Sequence, residues 1–304
     1  IEAALAAPNV EARESWLTLI EAAPPPPDIS LLDGLLRERM DATPLLSSVF
    51  IRHLASGQEV SIRSEVAYSG MSMMKVPIML SVFKQFYAPP TPDITEAMTS
   101  TMTIPGASNA YANRLLGQIG AGDTQQGVSD VTALLRRLGL LNSFMIAPYD
   151  SDVSVAPMVT EANSRSDYNA NPDIFMQTTP KDIGLLLEMI ALCAENKGAL
   201  LAAYPGEITD AECRELIGVL ELNPITTFIR SGLPEGTRLA HKHGFSNENT
   251  SDAGIVWGPG GPFVISISVY QPSWVEFRHS QPLMADIAKA TCDFFALWSS
   301  TQAG

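Results

Sequence analysis

Two Ser-x-x-Lys patterns stand in this chain, Ser72-Met73-Met74-Lys75 and Ser81-Val82-Phe83-Lys84. Three residues apart on a helix, a serine and a lysine share a face, so the amine can take the hydroxyl proton once burial lowers its pKa. By composition alone about one such pattern arises by chance in a chain of this size, so position has to separate the two. Ser72 follows Tyr68-Ser69-Gly70 and opens an apolar helical run. There the free backbone N–H groups and the positive end of the helix dipole favour an alkoxide and an oxyanion. Ser81 lies within the run and has neither advantage. Taken alone, Ser72 also fits a plain helix N-cap, a role that serine favours.

The elements that would position this pair are readable in outline. Ile29 to Met40 has helical spacing; Val49 to Leu54 is β-rich, and a turn at Ser56 and Gly57 leads to Val60 and Ile62. Met71 to Tyr87 is apolar at helical spacing until Ala88 to Pro92 breaks it. Ser129 stands before Val131, Leu134, Leu135 and Leu138 as a helix start, and Thr179-Pro180 opens the run Ile183 to Ile190. Between them Ala147 to Met176 is polar and irregular, and so long a loop in a compact domain is usually functional or mobile. Ala253 to Trp257, a Gly-Pro turn over 258–262, and the alternating stretch Phe263 to Tyr270 predict a β-hairpin. A closing helix puts Leu283, Ile287, Ala290, Phe294 and Trp298 on one face.

The order predicts an α/β (α+β) fold: an antiparallel sheet assembled from both chain ends, flanked by helices, with a helical subdomain inserted and a cleft between the two. The α/β part is expected at about 29–68 and 222–304, and the all-α part at about 69–221. Residues 1–22 carry a helix-like pattern that the tetraproline Pro24 to Pro27 stops. They read equally as an extension on a short linker and as one more packed helix.

Composition narrows the partners. A net charge of -14 argues against nucleic acid, whose phosphates this surface would repel. Four scattered His, with no HExxH or CxxC spacing, predict no metal site. Cys193, Cys213 and Cys292 are an odd set whose pairing the sequence leaves open. No apolar run reaches the length of a membrane span. The chain opens without Met or a charged n-region, so the expectation is that any export signal was removed or never present.

Three ordered motifs then become specific. Ser72-Met73-Met74-Lys75-Val76-Pro77, the helix Asn109-Ala110-Tyr111-Ala112-Asn113-Arg114-Leu115-Leu116 with Ile119-Gly120, and His241-Lys242-His243-Gly244 resemble the motifs of class A β-lactamases and penicillin-binding proteins. Thr178-Thr179-Pro180, the run Arg230 to Gly236, and the final hairpin and helix follow in that family's order, over roughly residues 29–300. The resemblance implies a β-lactamase/transpeptidase-like fold and a serine hydrolase that needs no cofactor. Ser72 would be acylated by a β-lactam or a related amide or ester, and Lys75 would move the proton. The N–H groups of Ser72 and Phe245 would form the oxyanion hole. Asn109 would bind the substrate amide, and Lys242, with His243 and Gly244 on its strand, would attract a substrate carboxylate. Its substrates, β-lactam or peptidoglycan-like, imply a periplasmic or secreted protein; the oligomeric state is left open.

Three departures qualify that reading. Aligning Asn113 and Ile119 places Ala107-Ser108-Asn109 where the family has Ser-x-Asn, which leaves Ser108 as the candidate relay hydroxyl, one residue out of place. The third motif reads Lys-His-Gly, where His243 keeps a hydrogen-bond donor and, if protonated, would favour an anionic substrate. No Glu-x-x-Leu-Asn loop motif is present to activate a deacylating water; Glu161 and Asp167 are the nearest carboxylates in the corresponding loop. Only 34 residues separate Lys75 from Asn109, which predicts a more open cleft. Two alternatives to a β-lactamase follow: a D-alanyl-D-alanine-directed, penicillin-binding peptidase, and a binding module without turnover.

Overall fold

A computed structural model describes residues 28–84, 90–106, 108–152 and 156–302. The extension expected at 1–22 and its proline linker lie outside these residues. Helix α1 (Ile29–Asp41) begins where the Asp28 side chain accepts from Ser30 N, and it buries Leu32, Leu36 and Met40 at one-turn intervals. Strands β1 (Leu46–His53) and β2 (Glu59–Ile62) pair antiparallel, with Val49 opposite Ile62.

The other strands of this sheet come from the far end of the chain: β6 (Arg238–Phe245), β7 (Asn249–Gly258) and β8 (Gly261–Tyr270). All neighbours run antiparallel, in the order β2-β1-β8-β7-β6. Alternation decides which side chain meets which layer. Val49, Ile51, Phe263, Ile265, Ile267 and Val269 pack with α1 and the closing helix α10 (Phe277–Gln302), whereas Phe50, Ala253, Ile255 and Val264 join the core of the inserted helices. On that second face Gly184 approaches the Phe50 ring so closely that a Cβ would lie 2.2 Å from its Cδ1.

The insertion holds α2 (Lys75–Lys84), α3 (Pro92–Thr103), α4 (Ser108–Ile119), α5 (Thr124–Arg137), α6 (Pro180–Ala194), α7 (Ala199–Ala203) and α8 (Asp210–Glu221), and the single turn α9 (Ile229–Gly232) that follows packs on α10 instead. Every residue of α2 from Lys75 to Phe83 is buried, as befits a helix surrounded by others. A disulfide between Cys193 and Cys213 joins α6 to α8, and Cys292 is free and buried.

Several expectations are corrected. Helix α5 starts at Thr124, not at Ser129: Asp123 caps it by accepting from Gln125 N and Gln126 N, while Ser129 sits mid-helix and donates to Gln125 O. An acid two residues before a run of glutamines outcompetes a serine already inside the helical period. Met71 to Met74 form a separate 3-10 turn before α2. The expected all-α region also holds part of a three-stranded sheet, β3 (Tyr68–Ser69), β5 (Met176–Thr178) and β4 (Phe144–Met145), in the order β3-β5-β4. Strands of two or three residues are too short for alternation to reveal.

Candidate active site

The small sheet sets the turn that carries Ser72. Gly70 N donates to Met176 O at 2.8 Å, and a Cβ on Gly70 would lie 2.6 Å from Met74 Cγ and 3.2 Å from the Met176 carbonyl carbon. Glycine is therefore required by close approach. Met71 then takes a left-handed φ of 45°, a strained conformation for a residue with a side chain. Its carbonyl accepts from the Tyr149 hydroxyl at 2.7 Å. Ser72 follows within the 3-10 turn, and Lys75 opens α2.

Lys75 is 1% exposed. Its Nζ donates to Ser72 Oγ at 2.9 Å, to Ser108 Oγ at 2.7 Å and to Asn109 Oδ1 at 2.7 Å. The Tyr149 ring centroid lies 4.8 Å from Nζ. Burial pushes the amine down to about 7; Lys242 pushes it the same way, and Asp150 opposes both. A lysine that titrates there holds a large free-base fraction at neutral pH and remains a competent acid after taking a proton. Lys84, by contrast, sits at the end of α2 with Nζ 5.2 Å from the Tyr204 ring. Ser81 Oγ is buried and unpaired among the described residues.

The compressed second motif brings both of its groups to Lys75. Ser108 and Asn109 open α4, where consecutive side chains diverge by about 100° and so can flank one ammonium. Ser108 Oγ donates to Thr101 O at 2.7 Å, and Asn109 Nδ2 donates to the Asp150 carboxylate at 3.1 and 3.2 Å. One turn on, Asn113 grips the backbone of Tyr149 from both sides: its Nδ2 donates to Tyr149 O at 2.9 Å, and its Oδ1 accepts from Tyr149 N at 3.0 Å.

Strand β6 passes the other side of Ser72. A Cβ on Gly244 would lie 3.0 Å from Ser72 N, so a side chain here would press on the turn that carries Ser72. Phe245 is 56% exposed and lines the cavity. Lys242 is buried outside the cavity lining, its Nζ donating to His243 O at 2.8 Å, and burial lowers it to about 8 against the pull of Asp252. His243 is half-buried on the same strand. Burial first, and Lys242 next, push it down to about 3, so the ring is neutral at physiological pH. Its Nδ1 lies 3.2 Å from Asn223 Nδ2, which assigns Nδ1 as acceptor and leaves the ring proton on Nε2. Phe228 and Phe245 stack on the ring at centroid distances of 6.1 and 6.3 Å.

Ser72 and Asn109 open into a cavity of about 430 Å³, lined also by Met71, Tyr149, Asp150, Asp152, Asp173 and Phe245. Glu161 and Asp167, the deacylation candidates, do not line this cavity. Glu161 is exposed in a separate groove with Arg136 and Lys181, and Asp167 is exposed and paired with Arg165 at 2.5 Å. The carboxylates that do face the cavity, Asp150, Asp152 and Asp173, went unnoticed in the sequence, as did Tyr149 and Thr101. The long polar loop was the signal that could have found the three acids and Tyr149, since all four lie within it.

Among solved structures, PBP-A superposes with a TM-score of 0.66 at 18% identity, covering 90% of this chain and 98% of that one. A PBP-A mutant, solved as an acyl-enzyme complex with penicillin G, matches equally at 0.66 and 18%, covering 90% and 99%. A β-lactamase from Desulfarculus baarsii gives 0.65 at 17%, covering 88% and 98%. At these identities the likeness establishes the β-lactamase/transpeptidase fold. No curated protein matches the sequence. Residues 35–295, most of the chain, match the sequence pattern of the Beta-lactamase enzyme family, and this chain belongs to that family.

Proposed function

We propose that this member of the family is a serine hydrolase whose Ser72 is acylated by β-lactams or related amides and esters, and which releases the acyl group slowly. The observation that carries the reading is Lys75, titrating near neutrality and bonded at once to Ser72 and Ser108. As free base it takes the Ser72 proton while Oγ bonds to the substrate carbonyl carbon. The oxyanion so formed faces the N–H groups of Ser72 and Phe245. When the carbonyl–nitrogen bond breaks, the ammonium gives a proton to Ser108, whose own proton passes to the leaving nitrogen. Asn109 exchanges its contact with Asp150 for the substrate amide carbonyl. Lys242 acts from behind the cavity, lowering the basicity of Lys75 through space.

Slow release is supported by the carboxylates. Among the described residues none hydrogen-bonds to Ser72 or Lys75, and the hydrogen-bond path from Asp150 to Lys75 runs through Asn109. This arrangement suits a penicillin-binding peptidase as well as a sluggish β-lactamase, since the acylation half-reaction is common to both. The Cys193–Cys213 bridge fits an oxidising compartment, and so an extracytoplasmic site of action. No helix among the described residues is long and apolar enough to cross a membrane.

Intact-mass measurement after incubation with penicillin G tests the reading. The expected result is a persistent adduct that maps to Ser72, is absent in Ser72→Ala, and accompanies slow nitrocefin turnover. Absence of any adduct on the wild type, with penicillin or a reactive ester, would leave only a binding module. Rapid turnover would exclude the slow-release reading.

A further inference from the structure

Tyr149 is the buried group on which three features of the site converge, and no step above uses it. It is 7% exposed. Its backbone is clamped on both sides by Asn113 from α4, its hydroxyl donates to Met71 O, and its ring faces Lys75 Nζ at 4.8 Å. Burial, and the Asp150 charge beside it, hold the phenol well above its ordinary pKa, so it is neutral and cannot serve as a base.

We infer that Tyr149 is the positioning residue of this site: its ring face stabilises the Lys75 ammonium formed when Ser72 gives up its proton, and its hydroxyl fixes the strained turn before Ser72. The inference rests on the acylation of Ser72 proposed above. A ring face attracts an ammonium in a dry site, as an anion does, yet it has no lone pair with which to activate water. The same residue therefore favours acylation and leaves the acyl-enzyme without a carboxylate base beside it. The hydroxyl contact has a separate role. Met71 is held at φ 45°, and the bond from Tyr149 holds its carbonyl where that conformation needs it.

The charged groups around Lys75 set the pH dependence. Lys242 on β6 disfavours the ammonium and Asp150 on the loop favours it, while Ser108 and Asn109 on α4 are neutral acceptors and His243 is uncharged. Acylation needs the free amine, so its rate rises as pH rises through about 7. Removing the ring weakens the ammonium, and Tyr149→Leu should move this limb to lower pH by roughly 0.5–1 unit. Tyr149→Phe keeps the ring and so keeps the limb, while losing roughly three- to tenfold in acylation rate as the Met71 carbonyl loses its donor. Tyr149→Glu supplies both an anion and a base; the limb should move to higher pH and the penicillin G adduct should decay at least tenfold faster.

The experiment is the pH profile of penicillin G acylation, with adduct lifetime, in the wild type and these three variants, by time-resolved intact mass. Thermal melts identify any variant that has failed to fold, and Tyr149→Phe then carries the test. An unshifted limb in Tyr149→Leu, a shifted limb in Tyr149→Phe, or an unchanged adduct lifetime in Tyr149→Glu would overturn the inference. An absent wild-type adduct would instead overturn the acylation reading on which it rests.

Discussion

Replacing Gly244 by alanine tests how the nucleophile turn is held against strand β6. The added Cβ would lie 3.0 Å from Ser72 N, 3.1 Å from Met71 Cβ and 3.4 Å from Met73 N. Carbon contacts settle at about 3.5–4.0 Å, so strand and turn must part by roughly half an ångström. Oxyanion donors work at about 2.7–3.1 Å, and a displacement of that size carries Ser72 N or Phe245 N out of range. Complete loss of one donor costs about 10²–10³ in rate; for a partial displacement we expect about 10- to 100-fold slower acylation. Overpacking should cost about 1–3 kcal/mol of stability, too little to unfold a chain with two large buried clusters. The assay follows penicillin G adduct formation at substrate concentrations below saturation, with a thermal melt on the same sample. An unchanged acylation rate in the folded variant would refute the proposed place of the oxyanion donors.

Two further outcomes are expected. Ser108→Ala removes the hydroxyl between Lys75 and the leaving group, so acylation by a β-lactam should fall about 100-fold, whereas acylation by an ester with a good leaving group should fall far less. Equal losses on both substrates would argue against a relay. Replacing Cys193 and Cys213 together by alanine opens a loop of 20 residues and should cost about 3 kcal/mol, read as a lower urea midpoint. Acylation rates should be unaffected, because the bridge ties α6 to α8 and neither cysteine lines the cavity.

The local signals were legible in the sequence. Helix α1 follows from the helical spacing of Ile29 to Met40, helix α6 from Thr179-Pro180, and the β7–β8 hairpin from a Gly-Pro turn followed by the alternation of Phe263 to Tyr270. Ser72 and Lys75 stood out because a three-residue spacing at the head of a helix is a local property. Each of these depends on neighbours within a turn or a hairpin, where chain connectivity already fixes who meets whom.

The rest required the tertiary structure. The sequence alignment displaced the second-motif hydroxyl, yet Ser108 reaches Lys75 because α4 packs on both α3 and α2 and its first residue is tied to the Thr101 carbonyl, a placement set by packing rather than by motif spacing. Glu161 and Asp167 had the right chemistry in the right loop, but the path of that loop left them away from the cavity, buried Tyr149 and set the exposed Asp150 on the cavity wall. The charge state of Lys75 was equally out of reach. It is decided by burial among helices and by Lys242 on a strand from the other end of the chain, and desolvation and through-space repulsion act only after folding has brought those groups together. The sequence alone picked out Ser72 and Lys75 as the candidate pair; the packed fold decided that Lys75 is buried with its amine lowered to about 7, and that an aromatic ring, not a carboxylate, stands beside it.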